Sequence, residues 1–383
     1  MSLAALLFSF LWLIMCVQSR PFIFVYRMPA EWHEDVLAYP SKEHWLRWYK
    51  GDELFYNYIR NSSYVTDDPA AATLFFVPFF TGRQFHYLGK HPENFAHQRG
   101  VSDSVRQGLS WIQQSYPYWN ASGNGRNHFT IFPMDHGRCD SAGLLLPEEL
   151  GHIISVSPGG DIFKANKFMP VVNSLQPSAP TWYCYHQARD IVLAQPLELD
   201  VDHSIFSPFS GERTITVLYR FAGKQGSWEP KHHELSYGVR AELARLHKFD
   251  PIPGSDFGVA ASPDQSVQDM RHAIFCVLPP GWGQYTGRLV RAILAGCLPV
   301  TIYRGNDPPF PRQLNWLDFS VNIDPDEVSV LRPTLITLLS NRQRILEMQI
   351  ALKAVQSSFS WDDVPNNAPA TLVKELELIA RNL

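Results

Sequence analysis

The chain alternates short apolar runs with longer stretches whose apolar residues recur every three or four positions. Eight runs are short, rich in β-branched or aromatic residues and bounded by glycine or proline, which is typical of buried strands. They lie at residues 22–26, 74–77, 128–132, 152–156, 191–193, 214–219, 273–277 and 298–302. Helical periodicity occurs at residues 103–115, 233–246, 285–295, 326–340 and 342–357. Strands that alternate with helices predict parallel sheets covered by helices.

A proline-rich stretch between Pro196 and Pro208 divides the strands into two series. The simplest arrangement is an α/β protein with two doubly wound domains that face a cleft. We place the first domain at residues 20–205 and the second at residues 206–383. The last helices, from Arg342 onward, are expected to cross back to the first domain. A chain of 383 residues is long enough for two such domains.

The N-terminal segment is apolar and carries no charge from residue 3 to residue 17. As a helix it would be about 22 Å long, which is short of the roughly 30 Å hydrocarbon core of a membrane. Val17, Gln18 and Ser19 offer a plausible cleavage site, so residues 1–19 are predicted to be a secretory signal peptide. The alternative is an uncleaved short membrane anchor. The next strand begins close to Pro21, so no flexible stem separates this segment from the fold.

Composition narrows the class of protein and its compartment. Lys and Arg number 33 against 37 Asp and Glu, a net charge of −4, and no basic run offers a surface for nucleic acid. Beyond Cys16 the cysteines number four, an even count compatible with disulfides in an oxidising compartment: Cys139, Cys184, Cys276 and Cys297. Their pairing cannot be read from spacing, and four buried free thiols are the alternative. Asn61 and Asn120 begin glycosylation triplets.

The clearest candidate chemistry follows the strand at residues 273–277. Gly281, Trp282, Gly283 and Gly287 form a glycine-rich loop, and a helix that carries Arg288 in its first turn comes next. A strand, a glycine-rich loop and a helix make an anion site, because free backbone N–H groups and the helix dipole converge there. The glycine spacing is one residue longer than the dinucleotide fingerprint, so that motif fails. A plain turn is the alternative.

Several stretches resemble a known family in its own motif order. The second half reads FCVLPPGW, GRLVRAILAGCLPVTIY and DPPFPRQLNWLDFSVNI. The first half reads FIFVYRMP, then YNYIRNSSYVTDDPAAATLFFVPFF, then PYWNASGNGRNHFTIFPMDHG. Together these stretches resemble the exostosin-like glycosyltransferases, glycosyltransferase family 47, over about residues 21–359.

The resemblance implies a glycosyltransferase of GT-B type, with two Rossmann-like domains and the active site between them. The donor would be a nucleoside-diphosphate sugar, with UDP as the expected nucleotide, held mainly by the second domain. The acceptor would be a glycan, a polysaccharide or a glycoprotein, and transfer would invert the anomeric carbon. Golgi placement, in the lumen or as a type II membrane protein, would follow, with membrane association through the N-terminal segment. If that segment is cleaved, the protein would be secreted.

No metal cofactor is expected, because arginines and helix N-termini can stabilise a leaving diphosphate. The chain has one Asp-x-Asp, at Asp200 and Asp202, beside the proposed domain boundary. In the family pattern that stretch is a connection, so we interpret it as a solvated turn.

Catalytic candidates follow the strand at residues 128–132, where a doubly wound domain presents functional residues. Asp135 and His136 match the family's HDWG position, although Met134 stands for its His and His136 for its Trp. An inverting enzyme needs a base for the acceptor hydroxyl. The resemblance makes Asp135 or His136 that base or an acceptor contact; the alternative is that Asp135 caps a turn.

Donor contacts are implied for Arg220 and Gly223, which follow the strand at residues 214–219, and for Arg240. In the family these positions lie near the diphosphate. The alternatives are a turn at Gly223 and a surface helix charge at Arg240.

Three positions depart from the family. Arg291 stands three residues after Arg288, on the same helix face, where the family has an acid; a guanidinium cannot accept hydrogen bonds from ribose hydroxyls. Asn127 and Arg304 replace two further acids. Either the nucleotide is held differently or donor binding is weakened. The second hypothesis is therefore a catalytically degenerate member that binds glycans or a partner.

Overall fold

A computed structural model describes most of the chain. The described residues are 23–38, 48–88, 96–143, 145, 147–160, 184–197, 204–220, 236, 238–258, 262–281, 287–305 and 307–383. The predicted leader at residues 1–19 and the Asp-x-Asp stretch lie outside them. So do three of the predicted donor-site residues, Gly223, Trp282 and Gly283.

Ten strands in the described parts of the chain form two parallel five-stranded sheets. The first sheet has the order β1-β2-β3-β4-β5 and the second has the order β10-β9-β8-β6-β7. The strands are β1 Ile23–Val25, β2 Leu74–Phe76, β3 His128–Ile131, β4 Ile154–Ser157, β5 Ile191–Val192, β6 Ile215–Arg220, β7 Asp256–Gly258, β8 Ala273–Leu278, β9 Leu298–Ile302 and β10 Val321–Ile323. All eight predicted strands are present, and β7 and β10 are additional.

Thirteen α-helices are present among the described residues. They are α1 Glu34–Leu37, α2 Gly51–Ile59, α3 Thr81–Leu88, α4 Ala96–Ser115, α5 Tyr118–Ala121, α6 Arg138–Ala142, α7 Pro147–Leu150, α8 Val239–Phe249, α9 Pro263–Arg271, α10 Gly287–Leu294, α11 Leu331–Ser340, α12 Arg342–Val355 and α13 Ala368–Ala380. Short 3₁₀ turns occupy Ala30–Trp32, Pro69–Ala71, Trp316–Asp318, Pro325–Val330 and Gln356–Phe359. Two of the later helices begin with side-chain caps: Asn341 accepts a hydrogen bond from the Arg344 amide, and Asn367 accepts one from the Ala370 amide.

Both sheets are covered by helices on both faces, as their sequences require. β8 and β9 are almost continuously apolar and buried, which suits strands enclosed on both sides. In β2 the neighbouring residues Phe76 and Phe75 point to opposite faces. Phe76 meets Phe55 of α2 edge to face, with ring centroids 5.4 Å apart, whereas Phe75 belongs to the core that includes Leu109 of α4. The structure thus confirms the expected GT-B type pairing of two α/β domains, each with a parallel five-stranded sheet.

The two sheets differ in winding. In the second sheet β6 has β8 on one side and β7 on the other, so the strand order reverses at β6. The first sheet runs in sequential order through its five described strands and shows no such reversal. Among the described strands, only those of the second sheet therefore form the switch point at which doubly wound folds bind ligands, and the expected double winding is seen in the second domain.

The C-terminal helix α13 packs against α2 and β5 of the first sheet. Leu372 and Leu376 are fully buried there. Glu375 of the same helix is also fully buried and accepts hydrogen bonds from the backbone amides of Arg312 and Gln313. The strands of the first sheet end at Val192 and those of the second begin at Ile215, so the proposed boundary near residue 205 falls between them.

Candidate active site

The first half of the candidate site lies at the switch point of the second sheet. The carboxyl ends of β6 and β8 are neighbours, and the chain leaves them toward opposite sides of the sheet. β6 ends at Arg220, and β8 is followed by Pro279, Pro280 and Gly281. Helix α10 begins six residues later at Gly287, so its N-terminus belongs to the same crevice.

Arg288 joins the two strand ends. Its Nη1 donates to the Arg220 carbonyl oxygen at 3.4 Å, and its Nη2 donates to the Pro279 carbonyl oxygen at 3.1 Å. The guanidinium therefore spans the carboxyl ends of β6 and β8 and is only partly exposed. Arg288 therefore lies at the switch point, and its contact with a diphosphate stays a prediction.

Two further arginines surround Arg288. Arg240 of α8 donates from Nε to the Pro280 carbonyl oxygen at 3.2 Å, and Arg291 follows one helical turn after Arg288. Burial, then the charges of Arg240 and Arg291, lower the pKa of Arg288 to about 9. Like charges held together in a partly buried crevice are stabilised by an anion placed among them. The geometry brings three of the four predicted arginines, Arg240, Arg288 and Arg291, into one cationic cluster.

Arg220 plays a different part from the other arginines. Its guanidinium donates to Asp269 at 2.7 Å and to Asp256 at 2.5 Å, and it reaches Arg288 through its carbonyl oxygen. Burial alone would lower the pKa of Arg220, but the hydrogen bonds to Asp256 and Asp269 raise it above its ordinary value. The side chain thus braces the end of β6, and its contact with a donor stays a prediction.

The second half of the site follows β3 in the first sheet. Asp135 is partly buried and its Oδ2 accepts a hydrogen bond from the Tyr49 hydroxyl at 2.9 Å. Burial and the charge of Asp140 raise the pKa of Asp135, against the lowering effect of the Tyr49 hydrogen bond and the His136 charge. A carboxylate with a raised pKa is a better general base near neutral pH.

His136 is placed next to Asp135 by its backbone. Its amide donates to Asp140 Oδ2 at 2.8 Å, which fixes the loop between β3 and α6. The hydrogen bond to the Asp135 carboxylate comes from the Tyr49 hydroxyl rather than from this imidazole, and the roles of Asp135 and His136 stay predictions. Sequence reasoning missed both Tyr49 and Asp140.

Two consecutive glycines after β4 let the two domains approach. A Cβ on Gly159 would lie 2.5 Å from the Asp135 carbonyl oxygen, so only glycine fits against that loop. A Cβ on Gly160 would lie 2.3 Å from the Asp307 carbonyl oxygen, in the loop that follows β9 of the second sheet. The Asp135 loop and the second domain therefore meet at this glycine pair, which a Gly-Gly soon after a predicted strand could have indicated.

Asp307 is the acid that remains close to the family position occupied here by Arg304. Its carboxylate accepts hydrogen bonds from Tyr185 Oη at 2.9 Å and from Gln187 Nε2 at 2.7 Å, and both of these side chains belong to the first domain. Arg304 pairs with Asp324 and Asp326 in an exposed cluster. Asp307 thus joins the domains, and Arg304 faces solvent.

The four cysteines form two disulfides, Cys139–Cys184 and Cys276–Cys297. The first ties α6, just after the Asp135 loop, to the segment that leads into β5. A buried ion pair reinforces it, because Arg138 Nη2 lies 2.6 Å from Asp190 Oδ2. The second joins β8 to the residue before β9. This arrangement rules out the alternative of four free thiols.

The predicted glycosylation residues Asn61 and Asn120 are both exposed. No group of three or more His, Cys, Asp or Glu side chains that could hold a metal ion occurs in the described parts of the chain. Within the same parts, no helix has the length and apolar character needed to cross a membrane.

Comparisons of this chain with family models and with known proteins point to one family. The model of the Exostosin GT47 domain matches residues 18–338. A protein of Oryza sativa subsp. japonica named "Probable glucuronosyltransferase" is 27% identical over 345 residues, covering 87% of this chain and 74% of its own. A protein of Arabidopsis thaliana named "Probable beta-1,4-xylosyltransferase IRX10L" is 26% identical over 332 residues, covering 85% and 73%.

Among solved structures, Anabaena Alr3699/HepE in complex with UDP-glucose is 9% identical, with 94% of this chain and 98% of that chain covered and a TM-score of 0.37.

The family match covers most of the chain, so the chain belongs to the exostosin GT47 family. It is a glycosyltransferase of that family.

Proposed function

We propose that this glycosyltransferase transfers a sugar from a nucleoside-diphosphate sugar, with UDP as the nucleotide, to a glycan, polysaccharide or glycoprotein acceptor, with inversion of the anomeric carbon. One observation carries the donor assignment. The Arg288 guanidinium spans the carboxyl ends of β6 and β8 at the switch point, beside the N-terminus of α10. That is where doubly wound folds bind nucleotides.

The chemistry of the leaving group supports the same placement. As the bond between the anomeric carbon and the diphosphate breaks, its electron pair passes to the diphosphate oxygen, where negative charge accumulates. Fixed positive charge aimed at that oxygen stabilises the transition state. Arg240, Arg288 and the helix N-terminus supply it, so the proposal includes transfer without a metal cofactor.

Asp135 is the proposed base. In a single displacement the acceptor oxygen forms the new bond on the face opposite the diphosphate, and its proton passes to the Asp135 carboxylate. The raised pKa of Asp135, which burial and Asp140 cause, favours this role. The Gly159 and Gly160 contacts bring the Asp135 loop against the second domain.

We further propose a secretory location, in the Golgi lumen or membrane, or outside the cell if the leader is cleaved. Two disulfides support it, because such bonds persist in oxidising compartments. The exposure of Asn61 and Asn120 is compatible with N-glycans. Enzymatic removal of N-glycans should lower the apparent mass of the expressed chain. An unchanged mass, with both asparagines carrying no glycan by mass spectrometry, would count against this location.

The test of the donor site is Arg288→Ala in the full chain, with Arg245→Ala as the matched control. Arg245 lies on the exposed side of α8, paired with Glu242. Because charge-assisted hydrogen bonds contribute about 1.5–3 kcal/mol, Arg288→Ala should weaken UDP binding roughly 10- to 100-fold in calorimetry. Turnover should fall at least as far, and Arg245→Ala should change neither. Full UDP affinity in a folded Arg288→Ala variant would refute the assignment.

A further inference from the structure

Tyr49 reaches the proposed base from a distant part of the chain. It lies two residues before α2, is 8% exposed, and donates its hydroxyl to Asp135 Oδ2 at 2.9 Å. Among the described residues, no other hydrogen bond reaches the Asp135 carboxylate, so Oδ1 has no hydrogen-bond donor there. One oxygen is thus held by the protein, and the other keeps its capacity to accept a hydrogen bond.

The backbone of Tyr49 is itself fixed against the Asp135 loop. A Cβ on Gly82 would lie 2.1 Å from the Tyr49 carbonyl oxygen and 2.8 Å from Cγ of Pro133. Any larger residue would push these two segments away from α3. Three parts of the first domain therefore meet at Gly82: the segment before α2, the start of α3 and the loop that carries Asp135.

Buried acids of α2 hold this junction together. Asp52 Oδ2 accepts a hydrogen bond from the Gly82 amide at 3.3 Å. Glu53 forms two parallel hydrogen bonds with Arg83, at 2.7 Å each, and both side chains are largely buried. Such a bidentate pair fixes geometry as well as contributing energy. Tyr49 therefore stands on a rigid support that also positions the Asp135 loop.

We propose that Tyr49 is a positioning residue, which orients the Asp135 carboxylate so that one oxygen faces the acceptor hydroxyl. The inference rests on the proposed role of Asp135 as the base. A base held by a locked neighbour keeps its productive geometry, and small misplacements of a catalytic group are costly.

The hydroxyl also affects titration. The groups that act on the Asp135 carboxyl are Asp140, which raises its pKa, and Tyr49 and His136, which lower it. Loss of the Tyr49 hydroxyl removes a hydrogen bond to the charged form, so the pKa of Asp135 should rise. Because the base must be deprotonated, the acidic limb of the rate profile should then move to higher pH.

The experiment compares Tyr49→Phe with Tyr26→Phe in the full chain. Tyr26 is also a buried phenol of the first domain, but it bonds His128. The Asp135 carboxyl is followed by carbon-13 NMR of aspartate-labelled protein, with Asp135→Asn to assign its signal. A lost charged hydrogen bond predicts an upward shift of about one pH unit or more in Tyr49→Phe and none in Tyr26→Phe. The kcat for UDP release from UDP-glucuronic acid or UDP-xylose should fall about tenfold, with an unchanged KM for the donor.

A Tyr49→Phe variant whose Asp135 titration matches wild type would overturn the inference. Replacing Tyr49 by 3-fluorotyrosine keeps the fold and strengthens the donor, so it should shift the titration the other way; a shift in the same direction as Tyr49→Phe would also overturn it. If Asp135→Asn retains full turnover, the proposed base is wrong, whatever Tyr49 does. If Asp135→Asn is inactive but Tyr49→Phe has the wild-type rate and pH profile, only the positioning role is wrong.

Discussion

The buried Arg138–Asp190 ion pair offers a sharp test of how the Asp135 loop is held. The two side chains are 2% and 0% exposed, and Asp190 also accepts hydrogen bonds from the backbone amides of Ser155 and His186. Arg138→Met would leave the Asp190 carboxylate buried, with the partly exposed Arg189 guanidinium as its one remaining ion-pair partner among the residues that the structure describes. Breaking a buried pair costs about 3–5 kcal/mol, because one charge loses its compensation.

The control is an exposed pair of the same chemistry. Arg332 is 39% exposed and lies 3.0 Å from Asp250. Arg332→Met should therefore lower the free energy of unfolding by less than about 1 kcal/mol. A double variant, Arg138→Met with Asp190→Asn, removes both charges. It should therefore cost about 2 kcal/mol less than the sum of the two single changes.

Hydrogen exchange of the β4 amides measures the loss of local stability, because the Ser155 amide of that strand donates a hydrogen bond to Asp190. Urea unfolding with the disulfides intact gives the global value. Equal costs for Arg138→Met and Arg332→Met would refute the reasoning. So would strict additivity in the double variant.

Two further predictions concern charge. Asp52 is fully buried, and burial followed by the charge of Glu53 raises its pKa to about 8. As pH rises above about 4, Asp52 loses its proton in the unfolded chain but keeps it in the folded chain up to about pH 8. The free energy of unfolding therefore falls as pH rises from about 4 to about 8. Asp52→Asn should flatten that slope in urea titrations; an unchanged slope contradicts the prediction. Arg291→Glu should weaken UDP binding about tenfold, because it places a negative charge beside Arg288. Calorimetry measures this change in affinity. A large gain in affinity would instead favour the degenerate, glycan-binding hypothesis.

The sheets were predictable because their strands are continuous apolar runs. β8 and β9, for instance, are buried along almost their whole length. β7 and β10 were missed because each has three residues and includes polar or glycine positions, Asp256 and Gly258 in one and Asn322 in the other. Such short strands are set by pairing with β6 and β9 rather than by local pattern.

The site was predictable only in part. Arg288 stood out because a strand, a glycine-rich loop and a helix are contiguous in sequence. The Tyr49 contact joins residues 86 apart, and no local pattern marks it. The disulfide pairing likewise depends on how α6 meets the segment before β5. The ion pairs of Arg220 also lay beyond sequence reasoning, because its partners Asp256 and Asp269 come from β7 and α9.

The most direct measurement of the central claim is calorimetric binding of UDP, GDP and UDP-sugars to the purified chain, in EDTA and in manganese. Saturable UDP binding with the same Kd in both conditions is the predicted result. It should be lost in Arg288→Ala and preserved in Arg245→Ala. Absence of binding by any of these nucleotides in folded protein would contradict the account, and binding that requires manganese would contradict its metal-free mechanism.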